Sequence, residues 1–124
     1  MKRILIIDDE DDVREVAKLS LEISGGWEVL TASSVPEGLF KACANQPDVV
    51  LLDVMMPGMD GRTAFRRLRG DSCTGHIPVI LFTASTQAED RRQFASLGVP
   101  VIAKPFDPLT LASEVAEALA GGSP

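Results

Sequence analysis

Tyrosine is absent from this 124-residue chain, tryptophan and histidine occur once each, and cysteine occurs twice. Each scarcity removes a class of function. His76 lies three residues after Cys73, but two ligands do not make a structural zinc site. Its loop setting also lacks the helical context of a phosphohistidine relay, so it reads as a surface histidine. Cys43, in an expected helix, and Cys73, in an expected loop, do not suggest a disulfide framework; both are expected to be reduced and structural. Trp27 opens an apolar run and reads as a packing residue rather than a base-stacking one. No apolar run is long enough to span a bilayer, which argues against a membrane protein. MKRILIIDDED runs straight into acid with no signal-peptide core, so a cytoplasmic setting is expected. Cations are also in deficit: 12 Lys and Arg face 18 Asp and Glu, a net charge of −6. A direct grip on nucleic acid needs clustered cations facing phosphates, so any role in transcription is expected to run through another protein.

What is present is an alternation of apolar, β-branched runs with helical patterns, the signature of βα units around a parallel sheet. Strands are expected at 4–7, 27–32, 48–53, 78–83 and 99–104. Helices are expected at 11–23, from an N-cap at Ser34 through 44, and at 62–69, 87–97 and 108–119. The first helix turns Val13, Val16, Ala17, Ser20 and Leu21 inward and is stopped by Gly25 and Gly26. In RTAFRRLR, Ala64, Phe65 and Leu68 face the core and the arginines form a solvated face, a better account than a DNA-reading helix. In the last helix Leu111, Ala112, Val115, Ala116 and Leu119 form a core face, and the opposite face is a candidate surface for a homodimer or partner. The chain therefore reads as one domain over 1–120 with a flexible tail at 121–124. No internal repeat or low-complexity segment appears.

Four strand ends carry chemistry. Asp8 and Asp9 close the first run, Asp53 the third, Thr83 the fourth and Lys104 the fifth. In open parallel sheets ligands bind outside the carboxyl ends of the strands, so these residues define a candidate site. Glu10, Asp11 and Asp12 fit the start of the first helix, where the macrodipole favours negative charge. Asp8, Asp9 and Asp53 instead crowd carboxylates at buried strand ends, a conflict that a hard divalent cation resolves. Mg²⁺ is commonly held by one or two carboxylates, waters and a phosphate oxygen. The chain lacks the spaced oxygen ligands of an EF-hand, which argues against Ca²⁺ storage. Asp53 can then act as a nucleophile toward a phosphoryl group. Mg²⁺, Lys104 and the Thr83 hydroxyl with the Ala84 backbone N–H would neutralise its three equatorial oxygens.

On ILIIDDE, LLDVMMPGMDG, the FTA of the fourth strand and the KPF of residues 104–106, the chain resembles the receiver domains of two-component response regulators, the chemotaxis-regulator-like phosphoacceptor family. The resemblance covers essentially the whole chain. It implies an α/β, flavodoxin-like, doubly wound five-stranded parallel sheet in order 2-1-3-4-5 with five helices, a topology for which a chemotaxis regulator is itself a standing example. It also implies that Asp53 is phosphorylated by a sensor histidine kinase or histidine phosphotransfer protein. Asp9 would be a direct Mg²⁺ ligand, Asp8 a ligand through water and Met55 one through its carbonyl. Lys104 would pair with the acyl phosphate, next to a cis Lys104–Pro105 bond. Pro57, Gly58 and Gly61 would shape the neighbouring loop. A downstream protein target would read the change on the surface of the fourth and fifth helices and the fifth strand.

Two departures from the family pattern carry expectations of their own. The position of the switch aromatic on the fifth strand is Val101, too short and stiff to report the same rotamer change, so switching is expected to rely on backbone shifts around the fourth helix. Pro100 removes a strand N–H at the same edge. Met55 and Ser85, two residues after Asp53 and Thr83, flank the path of an attacking water, and an apolar Met implies a long-lived phosphoaspartate. Three other classes compete. A haloacid-dehalogenase-like phosphohydrolase normally has a second aspartate where this chain has Met55. A flavodoxin-like cofactor module needs a hydroxyl- and glycine-rich phosphate loop where this chain has DDEDD. A degenerate receiver would bind without being phosphorylated, yet the five active-site positions are intact. The chain is thus read as a signalling domain, not an enzyme.

Overall fold

The computed structural model describes residues 2–54, 61–83, 92 and 96–121. Five strands, β1 (Arg3–Ile7), β2 (Glu28–Ala32), β3 (Val49–Asp53), β4 (Val79–Thr83) and β5 (Val101–Ala103), pair in parallel in the order β2-β1-β3-β4-β5. Four helices are placed among the described residues: α1 (Asp11–Gly25), α2 (Val35–Asn45), α3 (Gly61–Gly70) and α4 (Leu111–Gly121). The helix expected at 87–97 lies mostly outside them, although the Ser96 N–H donates to the Arg92 carbonyl at 3.0 Å, a helical bond.

Alternation along each strand divides the core into two layers. Leu5, Ile7, Val50, Leu52, Val79 and Leu81 point to one face and pack with Val35 and Ala42 of α2 and Ala64, Phe65 and Leu68 of α3. Ile4, Ile6, Val49, Leu51, Ile80, Phe82 and Ile102 point to the other and meet Ala17 and Leu21 of α1 and Leu111, Ala112 and Val115 of α4. β3 and β4 are buried along their whole length, as the uninterrupted apolar run of 49–52 requires of a strand covered on both faces. Trp27 packs into the second layer with the Lys2 ammonium 5.9 Å from its ring centroid.

The helix ends follow local chemistry. α1 stops at Gly26, whose φ of 66° is open to glycine at little cost, and its N–H returns to the Leu21 carbonyl. α2 starts at Ser34, whose hydroxyl accepts from the Glu37 N–H at 3.3 Å, while the Glu37 carboxylate reaches back to the Ser33 N–H at 2.8 Å and its hydroxyl at 2.9 Å. These bonds, the Ser33 backbone bond first and Lys41 next, hold the Glu37 pKa at about 2. A depressed carboxylate contributes stability above its unfolded pKa and loses it as pH falls through the folded one. Glu37→Gln is therefore expected to cost about 0.5 kcal/mol in urea unfolding at pH 7, small because the side chain is solvent-screened, and nothing near pH 2.

Some expectations need correction. β5 is shorter than 99–104, because Pro100 has no N–H; its carbonyl still accepts from the Leu81 N–H at 2.9 Å, and the Lys104 N–H reaches the Thr83 carbonyl at 2.7 Å. α4 begins at Leu111 rather than 108, since Pro108 to Thr110 form a turn bonded to Asp107. Val16 is 42% exposed and Ala116 is exposed, because α1 and α4 meet the sheet through Ala17, Leu21, Leu111 and Val115. Cys43 and Cys73 are not free thiols: they form a disulfide with Cα atoms 5.4 Å apart. Their proximity is a product of the β3–α3 excursion between them, which spacing alone does not reveal.

Candidate functional site

The parity that builds the second core layer also builds the site. Asp8 continues the Ile4, Ile6 series, Asp53 the Val49, Leu51 series and Lys104 the Ile102 position, so alternation brings two carboxylates and an ammonium to one face. All three lie at the carboxyl ends of their strands, β1 and β3 side by side and β5 beyond β4. β3 is paired so that Asp53 is level with Phe82, which leaves Thr83 one step beyond it on β4. Asp8, Asp53 and Thr83 are buried, at 0%, 2% and 2% exposure. Gly61 at the start of α3 fixes the approach of the following helix: a Cβ there would lie 2.7 Å from the Val54 Cα, so only glycine lets α3 pack directly behind Asp53.

The Lys104 ammonium is 2.6 Å from Asp8 Oδ2, 3.3 Å from Asp53 Oδ2 and 3.7 Å from Glu10 Oε1. It also lies 5.0 Å from the ring centroid of Phe82, which floors the site. Burial by itself would push this lysine down, but its contact with Asp8 and the charges of Asp53 and Asp8 outweigh burial and hold its pKa above the ordinary value. The stabilisation from this pairing is therefore complete below the ordinary lysine pKa and lost only as pH rises through the raised one. Beyond the ammonium at 2.6 Å, the buried Asp8 Oδ2 accepts no further hydrogen bond. Asp8 Oδ1 accepts from the Glu10 N–H at 2.9 Å, which fixes the carboxylate's orientation.

The structure gathers Asp8, Glu10 and Asp53, with one carboxylate oxygen of each within 4.8 Å of the others. An all-oxygen donor set containing an incompletely satisfied buried oxygen suits a hard divalent cation. Glu10 was expected at the helix start, and it does occupy the N-cap with an extended backbone, but its side chain makes no capping bond and reaches Lys104 instead. The signal available was its place two residues beyond Asp8. Asp9, by contrast, has the opposite parity and is solvent-exposed. Lys104–Pro105 is cis, as the resemblance implies. Met55, Pro57, Gly58, Ala84 and Ser85 lie outside the described residues.

Comparison with known proteins decides the family. Residues 4–116 match the response regulator receiver domain family. The chain belongs to that family. Response regulator PleD of Caulobacter vibrioides is 46% identical over 116 residues, covering 91% of this chain and 25% of the relative. RpaA of Synechocystis, described as a DNA-binding dual master transcriptional regulator, is 41% identical over 86% of this chain and 44% of its own length. The receiver domain thus spans a quarter to about half of the curated relatives it matches. Among solved structures, chemotaxis protein CheY4 of Vibrio cholerae superposes with a TM-score of 0.84 at 30% identity, covering 95% of this chain and 98% of that one. A putative response regulator from Chloroflexus aurantiacus gives 0.84 at 35% identity, covering 96% and 98%. The five-stranded order 2-1-3-4-5 is therefore a receiver fold, found in the response regulators of two-component systems. Among the described residues no helix is long and apolar enough to cross a membrane.

Proposed function

We propose that this receiver domain is a phosphoacceptor switch in which Asp53 takes a phosphoryl group from a phosphohistidine of a sensor histidine kinase or phosphotransfer protein. The observation that carries the reading is the buried Lys104 ammonium held between Asp8 and Asp53. In this reading a carboxylate oxygen of Asp53 attacks phosphorus, the N–P bond breaks, and its electron pair returns to the imidazole of the donor. Lys104 neutralises one equatorial oxygen, and the Thr83 hydroxyl, with the Ala84 N–H, serves another. Mg²⁺, when bound, supplies charge neutralisation on the phosphoryl oxygens. Asp8, Asp9, Asp53 and the Met55 carbonyl would hold it, with Glu10 as an added carboxylate. The domain acts on itself alone in this reading, which separates it from a phosphohydrolase.

A groove of about 520 Å³ beside the site is lined by Glu10, Asp12, Val13, Val16, Lys104 and Phe106, among others. Val16, Leu19 and Ile23, exposed by 42%, 47% and 80%, extend it as an apolar stripe along α1. An exposed stripe at helical spacing beside an acceptor suits a helix that presents a histidine. We assign the downstream readout to another protein rather than to nucleic acid, in keeping with the net charge of −6.

Intact mass after incubation with acetyl phosphate and Mg²⁺ tests the reading. A phosphoryl adduct is expected on the wild type and not on Asp53→Asn or in EDTA. No adduct under any condition would leave a binding module, and turnover of varied phosphoesters without an adduct would favour the phosphohydrolase. Glu10→Gln is expected to weaken Mg²⁺ binding by about threefold to tenfold in calorimetric titration, since one carboxylate leaves the cluster. Unchanged affinity would remove Glu10 from the cation's surroundings.

A further inference from the structure

At the opposite end of β3 from Asp53, the Cys43–Cys73 disulfide joins the last turn of α2 to the loop that leads into β4. Cys43 is exposed and Cys73 partly exposed, so a thiolate in solution has access to the bond. The surroundings have further ties besides the bond. Gln46, the C-cap of α2 at a φ of 49°, sends its amide N–H groups to the Cys73 carbonyl at 2.9 Å and the Cys43 carbonyl at 3.1 Å. Its Oε1 lies 2.7 Å from His76 Nε2 on the far side of the loop. Cys73 is held further by its N–H to Asp71 Oδ1 at 2.8 Å, and the neighbouring Thr74 is buried with its hydroxyl on the Leu68 carbonyl at 2.6 Å. Two sulfurs kept together by a non-covalent frame can part and rejoin without the fold being lost.

We infer that Cys43–Cys73 is a reversible thiol–disulfide exchange site, opened by a dithiol reductant and closed by a disulfide oxidant, and that it works as a latch between α2 and the β4 approach. The two sulfurs are not equivalent. Cys43 is the more exposed, whereas the Gln46 amide nitrogen lies 3.7 Å from Cys73 Sγ, where one of its two N–H groups can turn from a carbonyl to a departing thiolate while the thiolate lasts. A reductant thiolate attacks Cys43 Sγ, the S–S bond breaks, and its electron pair leaves on Cys73 Sγ, which takes a proton. The second thiol of the reductant then attacks the mixed disulfide, forms the reductant's own disulfide and releases Cys43 as a thiol. Two electrons and two protons pass to the protein, and exchange with an oxidised disulfide reverses the sequence. Exchange rates follow access to the attacked sulfur and the stability of the leaving thiolate, the two properties that differ here. The bond also constrains the segment between the cysteines, so its opening should loosen the two ends it ties.

The test uses the whole chain in its folded state. Dithiothreitol at a concentration that leaves the circular dichroism unchanged is expected to convert the protein to a form that takes two N-ethylmaleimide groups, and glutathione disulfide should restore the unreactive form. Hydrogen exchange at 42–48 and 71–77 should rise by about tenfold or more on reduction. Gln46→Leu should slow reduction by about threefold to tenfold through loss of the amide beside Cys73. With Cys73→Ser, Cys43 should form a mixed disulfide with glutathione. Reduction that occurs only on unfolding, thiols that glutathione disulfide fails to reoxidise, or exchange that is the same in both states would overturn the proposal. Adduct formation from acetyl phosphate, measured in both redox states, reports on Asp53 separately, so loss of phosphorylation and loss of the latch are distinguishable.

Discussion

Lys104→Met is expected to lower the unfolding free energy at pH 7 in EDTA by about 3–5 kcal/mol, a large share of a typical domain's total. Methionine keeps the side-chain stem over Phe82 but removes the ammonium that stands 2.6 Å from Asp8 and 3.3 Å from Asp53. Both carboxylates are buried, and Asp8 Oδ2 has no hydrogen bond to fall back on. Two close, buried negative charges then repel each other with the Lys104 counter-charge removed. The sign with pH follows: such a pair binds protons more readily folded than unfolded, so the deficit should shrink as pH falls toward the carboxylate range. Millimolar Mg²⁺ should recover part of it by taking the ammonium's place as counter-charge. Urea unfolding of both proteins at pH 7 and pH 5, with EDTA and with Mg²⁺, measures all three effects. A loss under about 1 kcal/mol in EDTA would mean that the ammonium does not compensate the two carboxylates.

Reduction of Cys43–Cys73, or its replacement by a pair of serines, is expected to cost about 3–4 kcal/mol of stability at 25 °C. The sequence separation of 30 residues sets the scale, because a closed loop of that length removes this much conformational freedom from the unfolded chain. The corresponding fall in melting temperature is about 10–15 °C for a domain of this size. The hydrogen bonds of Gln46 and Thr74 remain in both forms, so the loss should come from the unfolded state and leave the folded structure superposable. Calorimetry with and without reductant checks the magnitude. A fall of less than about 1 kcal/mol would show that the unfolded chain is already compact between the two positions.

The strands and three of the helices were legible because their determinants are local. Val49 to Leu52 has no polar residue, which suits only a strand covered on both sides, and Ser34 with Glu37 spells out the start of α2. Lys104, Asp53 and Thr83 were legible as strand-end residues for the same reason: a polar group that closes an apolar strand stands at the sheet's edge. Orientation across the site was not. Glu10 follows Asp8 and Asp9 in a run of five acids, where its place two residues beyond Asp8 is the one hint that its carboxylate turns inward. Its turn toward Lys104 depends on how α1 leaves β1, with the Glu10 N–H bound to Asp8 and the Arg14 guanidinium on the Asp8 carbonyl.

By itself the amino-acid order determined the alternation of strands and helices, the two-sided burial of β3, and the identity of the residues at the strand ends, since each rests on periodicity or on a neighbour within a few positions. The tertiary structure alone decided which of those residues meet. Lys104 reaches Asp8 across a sequence separation of 96, Glu10 joins Asp8 and Asp53 in the gathered carboxylates, and Cys43 finds Cys73. Contacts of that kind depend on strand order, on register and on helix packing, which are set by burial summed over the whole domain, and no short stretch of chain contains that sum.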